Sequence, residues 1–448
     1  MAAVASAVSR PGGRHAPTAG GAPCRLLAPC LQPVAHATDL QARRASSQRA
    51  STSCRCAAAE QAAPPTNGNA AAAAASALGR PSRHKQYDVV ALSNLCLDIV
   101  VEMPQLPPAD EPSRRALLQQ LTAQPPPQEQ WEVGGNTNFL VAASRLGLRT
   151  ASVGHLGQDI YGRFMQEVLK AEGVRNIEPV AAGSLSPDQD QTLLCFVLVD
   201  PDGRHAFCSR YDFGPWPLLS FARELPPNVL RVLENTEALF INGFVFDELP
   251  QAAVLAAAAT ARAAGAAVFF DPGPRSWTFA EGPRKAALEA MLDASDVICM
   301  TEDEAAAVTG LQSAEAQARW VLARPGACTE WCIIKRGAEG ALLASKTRDA
   351  VYTQQALRVD VRDTVGCGDS FAAAVVLGFT REHSIPAVMA LANAVGAATA
   401  MGQGAGRNVA SAERVMSLLQ SAVPSCTDGR HQDAVRVLHC SLSSIDLE

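Results

Sequence analysis

The chain has 448 residues, 48% of them hydrophobic, 18% charged and 5% aromatic, with a formal net charge of −6. That apolar share is ample for a large core, while mild acidity and the lack of a basic stripe in the body argue against nucleic acid as a direct partner. No apolar run reaches the roughly 20 residues of a membrane-spanning helix, so no membrane partner is expected.

Residues 1–56 carry Arg10, Arg14, Arg25, Arg43, Arg44, Arg49 and Arg55, no lysine and one acid, Asp39, on an Ala/Ser/Thr/Pro-rich background. This is the composition of an organellar transit peptide, and Ser53-Cys54-Arg55-Cys56-Ala57 suits the end of a chloroplast leader, with mitochondrial import as the rival. The Ala/Pro/Asn/Gly stretch at 57–85 reads as a disordered linker. Residues 86–425 then form the folded domain, and 426–448 read as a C-terminal tail.

Within that domain, apolar runs predict strands at Val89–Leu92, Ala151–Val153, Leu193–Val199, Ala238–Ile241, Ala267–Phe270, Val297–Met300 and Cys332–Ile334. Helical stretches fall at Phe139–Leu146, Gly162–Glu172, Ala252–Ala264, Lys285–Leu292, Ala314–Leu322 and Ser370–Arg381. The alternation predicts an α/β fold with a largely parallel sheet and helices on both faces, its ligands beyond the carboxyl ends of the strands. Pro104 to Glu132 is too long for an ordinary connection, which suggests a functional or mobile segment. Leu193–Val199 and His205–Ser209, joined by Asp200-Pro201-Asp202-Gly203, read as a β-hairpin suited to a lid. The body cysteines lie mostly in apolar runs, so neither a structural disulfide nor a zinc site is expected.

Two glycine-rich elements carry chemistry. Asp363-Thr364-Val365-Gly366-Cys367-Gly368-Asp369 runs straight into a helix, which predicts an anion cradle of backbone N–H groups at a helix start with a carboxylate beside it. Such a pair suits phosphoryl transfer to a hydroxyl, with Asp369 taking the proton. Cys367 in that loop is expected to have a depressed thiol pKa. Far upstream, Val133-Gly134-Gly135-Asn136-Thr137-Asn138 lets the backbone approach a ligand and supplies amides for hydroxyls. Asn94 and Asp98 follow the first strand and face the same crevice. No Gly-x-Gly-x-x-Gly with a downstream acid follows that strand, which counts against a dinucleotide-dependent oxidoreductase.

Residues from about 87 to 422 resemble the pfkB, or ribokinase-like, family of carbohydrate and nucleoside kinases, through Gly134–Gly162 and Asp363–Asp369. The resemblance implies a three-layer α/β/α sandwich with a small β lid drawn from about 100–133 and 188–212. It further implies an ATP- and Mg2+-dependent kinase acting on a hydroxymethyl group of a sugar or nucleoside. By the same resemblance, Asp369 is the general base and the backbone of Gly366, Cys367 and Gly368 the anion hole. Asn94, Asp98, Gly134, Gly135 and Asn138 bind the acceptor, and Lys335, Gly337, Gly340, Thr364 and Asn393 lie toward the nucleotide. Glu304 organises Mg2+ through water, and Asp363 with the Val365 carbonyl matches part of a monovalent-cation site, for K+, found in some members. Lid edges in the family often pair, which leaves a homodimer open.

The whole domain, including the run Ala392–Gly402, is similar to chloroplast members of plants and green algae implicated in photosynthetic gene expression. That similarity supplies the alternative, a catalytically weak scaffold or regulator in a plastid complex. It is favoured by the departures Thr301 for the asparagine of Asn-x-x-Glu, Gly273 for a common asparagine, and Lys335 for a usual threonine.

Overall fold

The computed structural model describes residues 85–108, 110–181, 183–186, 190–201, 205–209, 225–273, 282–403, 405–423 and 428–444. The leader at 1–56, nearly all of the linker at 57–85 and parts of the 188–212 lid segment lie outside the described residues.

In chain order the first elements are β1 (Tyr87–Leu92), β2 (Leu95–Glu102), α1 (Glu111–Ala123), β3 (Trp131–Gly135), α2 (Asn136–Arg145), β4 (Thr150–Val153), α3 (Ile160–Ala171) and β5 (Arg175–Ile177). There follow β6 (Leu193–Val199), β7 (His205–Ser209), α4 (Pro227–Glu234), β8 (Thr236–Asn242), α5 (Gln251–Ala263), β9 (Ala267–Asp271), α6 (Gly282–Ala294) and β10 (Val297–Thr301). The last are α7 (Glu302–Thr309), α8 (Ala314–Leu322), β11 (Trp331–Lys335), β12 (Ala341–Ser345), β13 (Ala350–Gln354), α9 (Cys367–Thr380), α10 (Ile385–Ala400), α11 (Ala412–Ala422) and α12 (Arg430–Ser443).

Nine strands form the main sheet in the order β13-β12-β11-β10-β9-β8-β1-β4-β5. The seven from β11 to β5 are parallel, and β12 and β13 extend the edge antiparallel. β1 explains the layering. All six of its residues are buried, because Val89 and Ala91 join one core cluster while Val90 and Leu92 join another. A strand apolar on both faces needs helices on both. Helices α2, α3 and α9–α12 cover one side, and α4–α8 the other. This is the expected three-layer sandwich.

Four further strands make a second sheet, β3-β2-β6-β7. The predicted hairpin is its β6–β7 edge, antiparallel with Val197 opposite Phe207. The remaining pair, β2 and β3, is absent from the sequence-based element assignment. The 104–132 segment is not an open connection. Asp110 caps α1 through the Ser113 N–H at 2.9 Å, Leu117, Leu118 and Leu121 pack on the core, and the Arg114 guanidinium donates to the Phe207 carbonyl of β7. The 426–448 tail also needs correcting. Its helix α12 buries Ala434, Val437 and Leu438 in the main core, and the Ser441 hydroxyl donates to the Leu146 carbonyl at 2.6 Å.

Candidate active site

The parallel strands end in a row of polar residues. Asn242 closes β8 in register with Asp271 of β9, and Thr301 closes β10 in register with Lys335 of β11. Asn94 follows β1 at φ +56°, and its conformation is held from several sides. The Asn94 N–H donates to Glu248 Oε2 at 3.1 Å, the Asn242 amide donates to Asn94 Oδ1 at 3.1 Å, and Asn136 Nδ2 donates to the Leu92 and Ser93 carbonyls at 3.0 and 2.8 Å. Asn136 therefore holds the turn between the two sheets, and its amide nitrogen is not offered to a ligand.

β2 leaves that turn carrying Asp98, which crosses to the backbone of β3. A Cβ on Gly134 would collide with the Asp98 carboxylate, and one on Gly135 with the Asn94 carbonyl. The glycine pair is thus explained by close approach: β2 and β3 press a carboxylate against a bare backbone. Burial, then the negative charges of Asp369 and Glu132, push Asp98 up to about 7. An acid so perturbed in a cleft is a candidate functional group.

Asp369 lies in the first turn of α9, whose N-cap is Gly366 at φ +78°. Only glycine takes that backbone readily, and there a Cβ would also sit 3.2 Å from that of Ala405. The helix start gives the loop its positive end. The Cys367 N–H closes a turn onto the Thr364 carbonyl at 3.3 Å. Asn138 reaches Asp369 instead of solvent: its Nδ2 donates to Asp369 Oδ2 at 3.2 Å, while its Oδ1 accepts from the Gly406 N–H at 2.8 Å. Burial, then the charge of Asp271, push Asp369 up to about 6, with Lys335 and the Asn138 bond opposing. Cys367 departs from expectation. Burial first, then the charges of Asp363 and Asp369, push its thiol up to about 12.

On the other side of the loop, Lys335 Nζ donates to Asp271 Oδ2 at 2.6 Å, and Asp271 Oδ1 accepts from the Gly273 N–H at 3.0 Å. A Cβ on Gly368 would lie 3.2 Å from Lys335 Nζ. The lysine is therefore beside the cradle and not on an exposed loop. Glu304 Oε2 accepts from the Thr301 N–H at 2.7 Å, and Thr301 Oγ1 accepts from the Glu304 N–H at 3.2 Å. Thr301 thus replaces asparagine as a capping box that orients the acid. Burial, then Asp271, raise the Glu304 pKa.

The structure brings Asp98, Gly134, Asn138, Asp369, Gly368, Lys335 and Glu304 to one cleft. Other candidates have local duties. Asp363 Oδ1 accepts from the Val365 N–H at 3.0 Å, within its own loop. Gly340 lets the β12 start pass the Gln354 carbonyl. Gly337 begins a short turn, closed by the Gly340 N–H on the Gly337 carbonyl at 3.0 Å. Asn393 Nδ2 donates to the Met389 carbonyl at 2.8 Å, one turn before Gly396, which faces the Cys367 carbonyl. Sequence reading missed Asn242 as a site residue and Asp271 as more than part of an altered motif. Each is a polar residue closing an apolar strand, the same signal that singled out Asn94.

Magnesium fits this donor set. Glu304 makes its contact to Thr301 through Oε2, which leaves its other carboxylate oxygen for a hydrated ion. Among the described residues no group of three or more His, Cys, Asp and Glu forms a metal cage. Mg2+ held largely by waters and substrate phosphates needs none.

Comparison with known proteins shows the family and the fold. The sequence profile described as pfkB family carbohydrate kinase matches residues 110–412. Fructokinase-1 of Oryza sativa is 29% identical over 301 residues, covering 64% of this chain and 88% of that protein. Aminoimidazole riboside kinase of Salmonella typhimurium is 30% identical, covering 61% and 82%. Among solved structures, Arabidopsis thaliana ribokinase complexed with ribose and ATP superposes with TM-score 0.57 at 21% identity, over 74% of this chain and 98% of that one. A ribokinase-type protein of E. coli solved with ATP and Mg2+ gives 0.58 at 19%, over 75% and 99%. At these identities the structures speak to fold alone.

Proposed function

The chain belongs to the pfkB family of carbohydrate kinases, and we propose that it transfers a phosphoryl group from ATP to a hydroxymethyl group of a sugar or nucleoside. One observation carries the reading: the Asp369 carboxylate stands in the first turn of a helix opened by a left-handed glycine, fixed by Asn138. Asp369 takes the hydroxyl proton as the oxygen attacks. The backbone at Gly366–Gly368 and the α9 N-terminus stabilise charge on the transferred group. Asp98, with Gly134 and Gly135, holds the acceptor's other hydroxyls. ATP complexes among the structural neighbours support the donor, and an ATP and Mg2+ complex supports the metal. Glu304 would hold that ion through water, where it neutralises phosphate charge. Asp363 and the Val365 carbonyl are kept as the proposed K+ position, tested by activity in K+ against Na+.

The fructokinases and the riboside kinase among the relatives support a polyhydroxylated acceptor. The arginine-rich, nearly acid-free composition of residues 1–56 supports a plastid destination. The β2–β3–β6–β7 sheet is proposed as the lid that keeps water from the phosphates. The test is ATP consumption across sugars and nucleosides by the wild type and Asp369→Asn. Acceptor-dependent turnover lost in the variant supports the reading. No turnover above the variant with any acceptor sinks it in favour of the scaffold.

A further inference from the structure

The Lys335 ammonium has an unusual position. It ends β11, where backbone pairing with Thr301 on one side and Ala341 on the other fixes it at the carboxyl edge of the sheet. Asp271 holds it at 2.6 Å, with side-chain exposures of only 13% and 8% for the two partners. Asp271 is itself held by the Gly273 N–H, so the anchor is rigid. The ammonium then stands 3.2 Å from where a Gly368 Cβ would be, closer than ordinary van der Waals contact, beside the backbone proposed to hold the transferring group. An ammonium has three donors, and Asp271 uses one.

Lysine here costs burial of a charge pair, which a polar threonine would not. A site that keeps such a charge beside a phosphate cradle has a use for it. Without the lysine, the cleft presents Asp271, Glu304 and Asp369 to an anionic donor, and a divalent ion would have to supply all the compensating charge. We propose that Lys335 is a resident cation of the phosphoryl site, contacting donor phosphate oxygens directly and allowing a triphosphate to bind there without a divalent ion. The proposal rests on the kinase reading for which end of the cleft takes phosphate. It adds that part of the charge usually left to a metal is built into the chain.

The test is calorimetric binding of ATP and of inorganic tripolyphosphate, each with Mg2+ and with a chelator. The proteins are the full chain, Lys335→Thr, Lys335→Arg, and the double variant Lys335→Met/Asp271→Asn, which removes the pair without stranding a buried carboxylate. The wild type should bind both ligands in chelator. Lys335→Thr and the double variant should lose at least tenfold of that metal-free affinity and less when Mg2+ is present, whereas Lys335→Arg should retain most of it. Equal metal-free affinity in the wild type and a folded double variant overturns the proposal, as does a wild type that binds only with Mg2+. Metal-free binding lost in the double variant, in a protein that phosphorylates no acceptor, supports the proposal while sinking the kinase reading.

Discussion

The two ends of the cleft are built on opposite principles. At the phosphate end, Lys335 offsets part of the carboxylate charge of Asp271, Glu304 and Asp369, and helix α9 adds its positive end. Burial opposes the Lys335 charge, yet Asp271 and Glu304 hold it above the usual lysine range. At the acceptor end, the Asp98 pKa climbs to about 7 first because Asp98 is itself desolvated and then because Asp369 and Glu132 add negative charge. On the proposed reading, the phosphate end carries a resident cation beside its acids, whereas the acceptor end holds carboxylates with no such cation, whose charge a bound ligand's hydroxyl donors would relieve.

The largest break in that contrast comes from Asp369→Asn. Losing the base should lower kcat by roughly 10²–10⁴-fold with little change in ATP affinity. It should also stabilise the protein at pH 8. The folded pKa of Asp369 is about 6 against 3.8 unperturbed, so its ionised form penalises the fold above pH 6, and the penalty fades as pH falls toward 4. A gain on the order of 2 kcal/mol at pH 8, vanishing near pH 4, is expected in thermal melts at the two pH values. Unchanged stability at both would mean that the carboxylate is better solvated than its burial implies.

Gly134→Ala attacks the other end. The added methyl meets the Asp98 carboxylate, and overpacking of this kind costs roughly 1–3 kcal/mol. The acceptor KM should rise about tenfold or more while the KM for ATP holds. A similar rise in both would indicate that the ends are one cooperative unit.

The pH profile distinguishes the ends more gently. In the proposed mechanism both Asp369, near 6, and Asp98, near 7, act ionised, so kcat/KM should fall as pH drops from about 7 to 5 and level off above. The charge of Asp369 contributes to raising Asp98, so the two ionisations influence one another. Asp98→Asn removes one charge, so the remaining limb should move to lower pH even as acceptor KM rises. A limb that stays in place would break the coupling.

The two ends also differed in how far the sequence disclosed them. The phosphate end is one contiguous run, Asp363–Asp369, in which a glycine that must take a left-handed backbone is followed at once by a helix. Local chemistry suffices to read it. The acceptor end is assembled from separate strands, and its register is tertiary. β2 directly continues the first strand's apolar run after a two-residue turn at Ser93–Asn94, and β3 is short, glycine-bearing and preceded by a proline-rich stretch. β2 does alternate, burying Leu95, Leu97 and Ile99 while Val100 and Glu102 are exposed, but its start is masked by the preceding run. β3 has too few residues for a pattern and is a strand because β2, itself paired with β6, pairs with it. Helix α12 was hidden differently. Its polar composition reads as a tail, yet Ala434, Val437 and Leu438 fall on one face and find the core. Asn138 was legible as an amide near the ligand, but not as the group that fixes Asp369, since its partner lies 231 residues away.

The smallest effect bears on the departure at Thr301, which on sequence grounds weakened the case for metal organisation. In the structure Thr301 and Glu304 exchange side-chain and backbone hydrogen bonds at the start of α7. Asparagine and threonine are near-equal caps, whereas valine is a poor one. Thr301→Asn should therefore change stability by only a few tenths of a kcal/mol and kcat by less than about twofold. Thr301→Val keeps the shape but loses the acceptor for the Glu304 N–H, and should cost about 1 kcal/mol in melts. It should also raise the Mg2+ concentration needed for half-maximal rate, because Glu304 loses part of what orients it. If Thr301→Asn instead raised activity many-fold, the asparagine amide would have a role at the phosphates beyond capping, and the phosphate end would be less complete than its resident cation suggests.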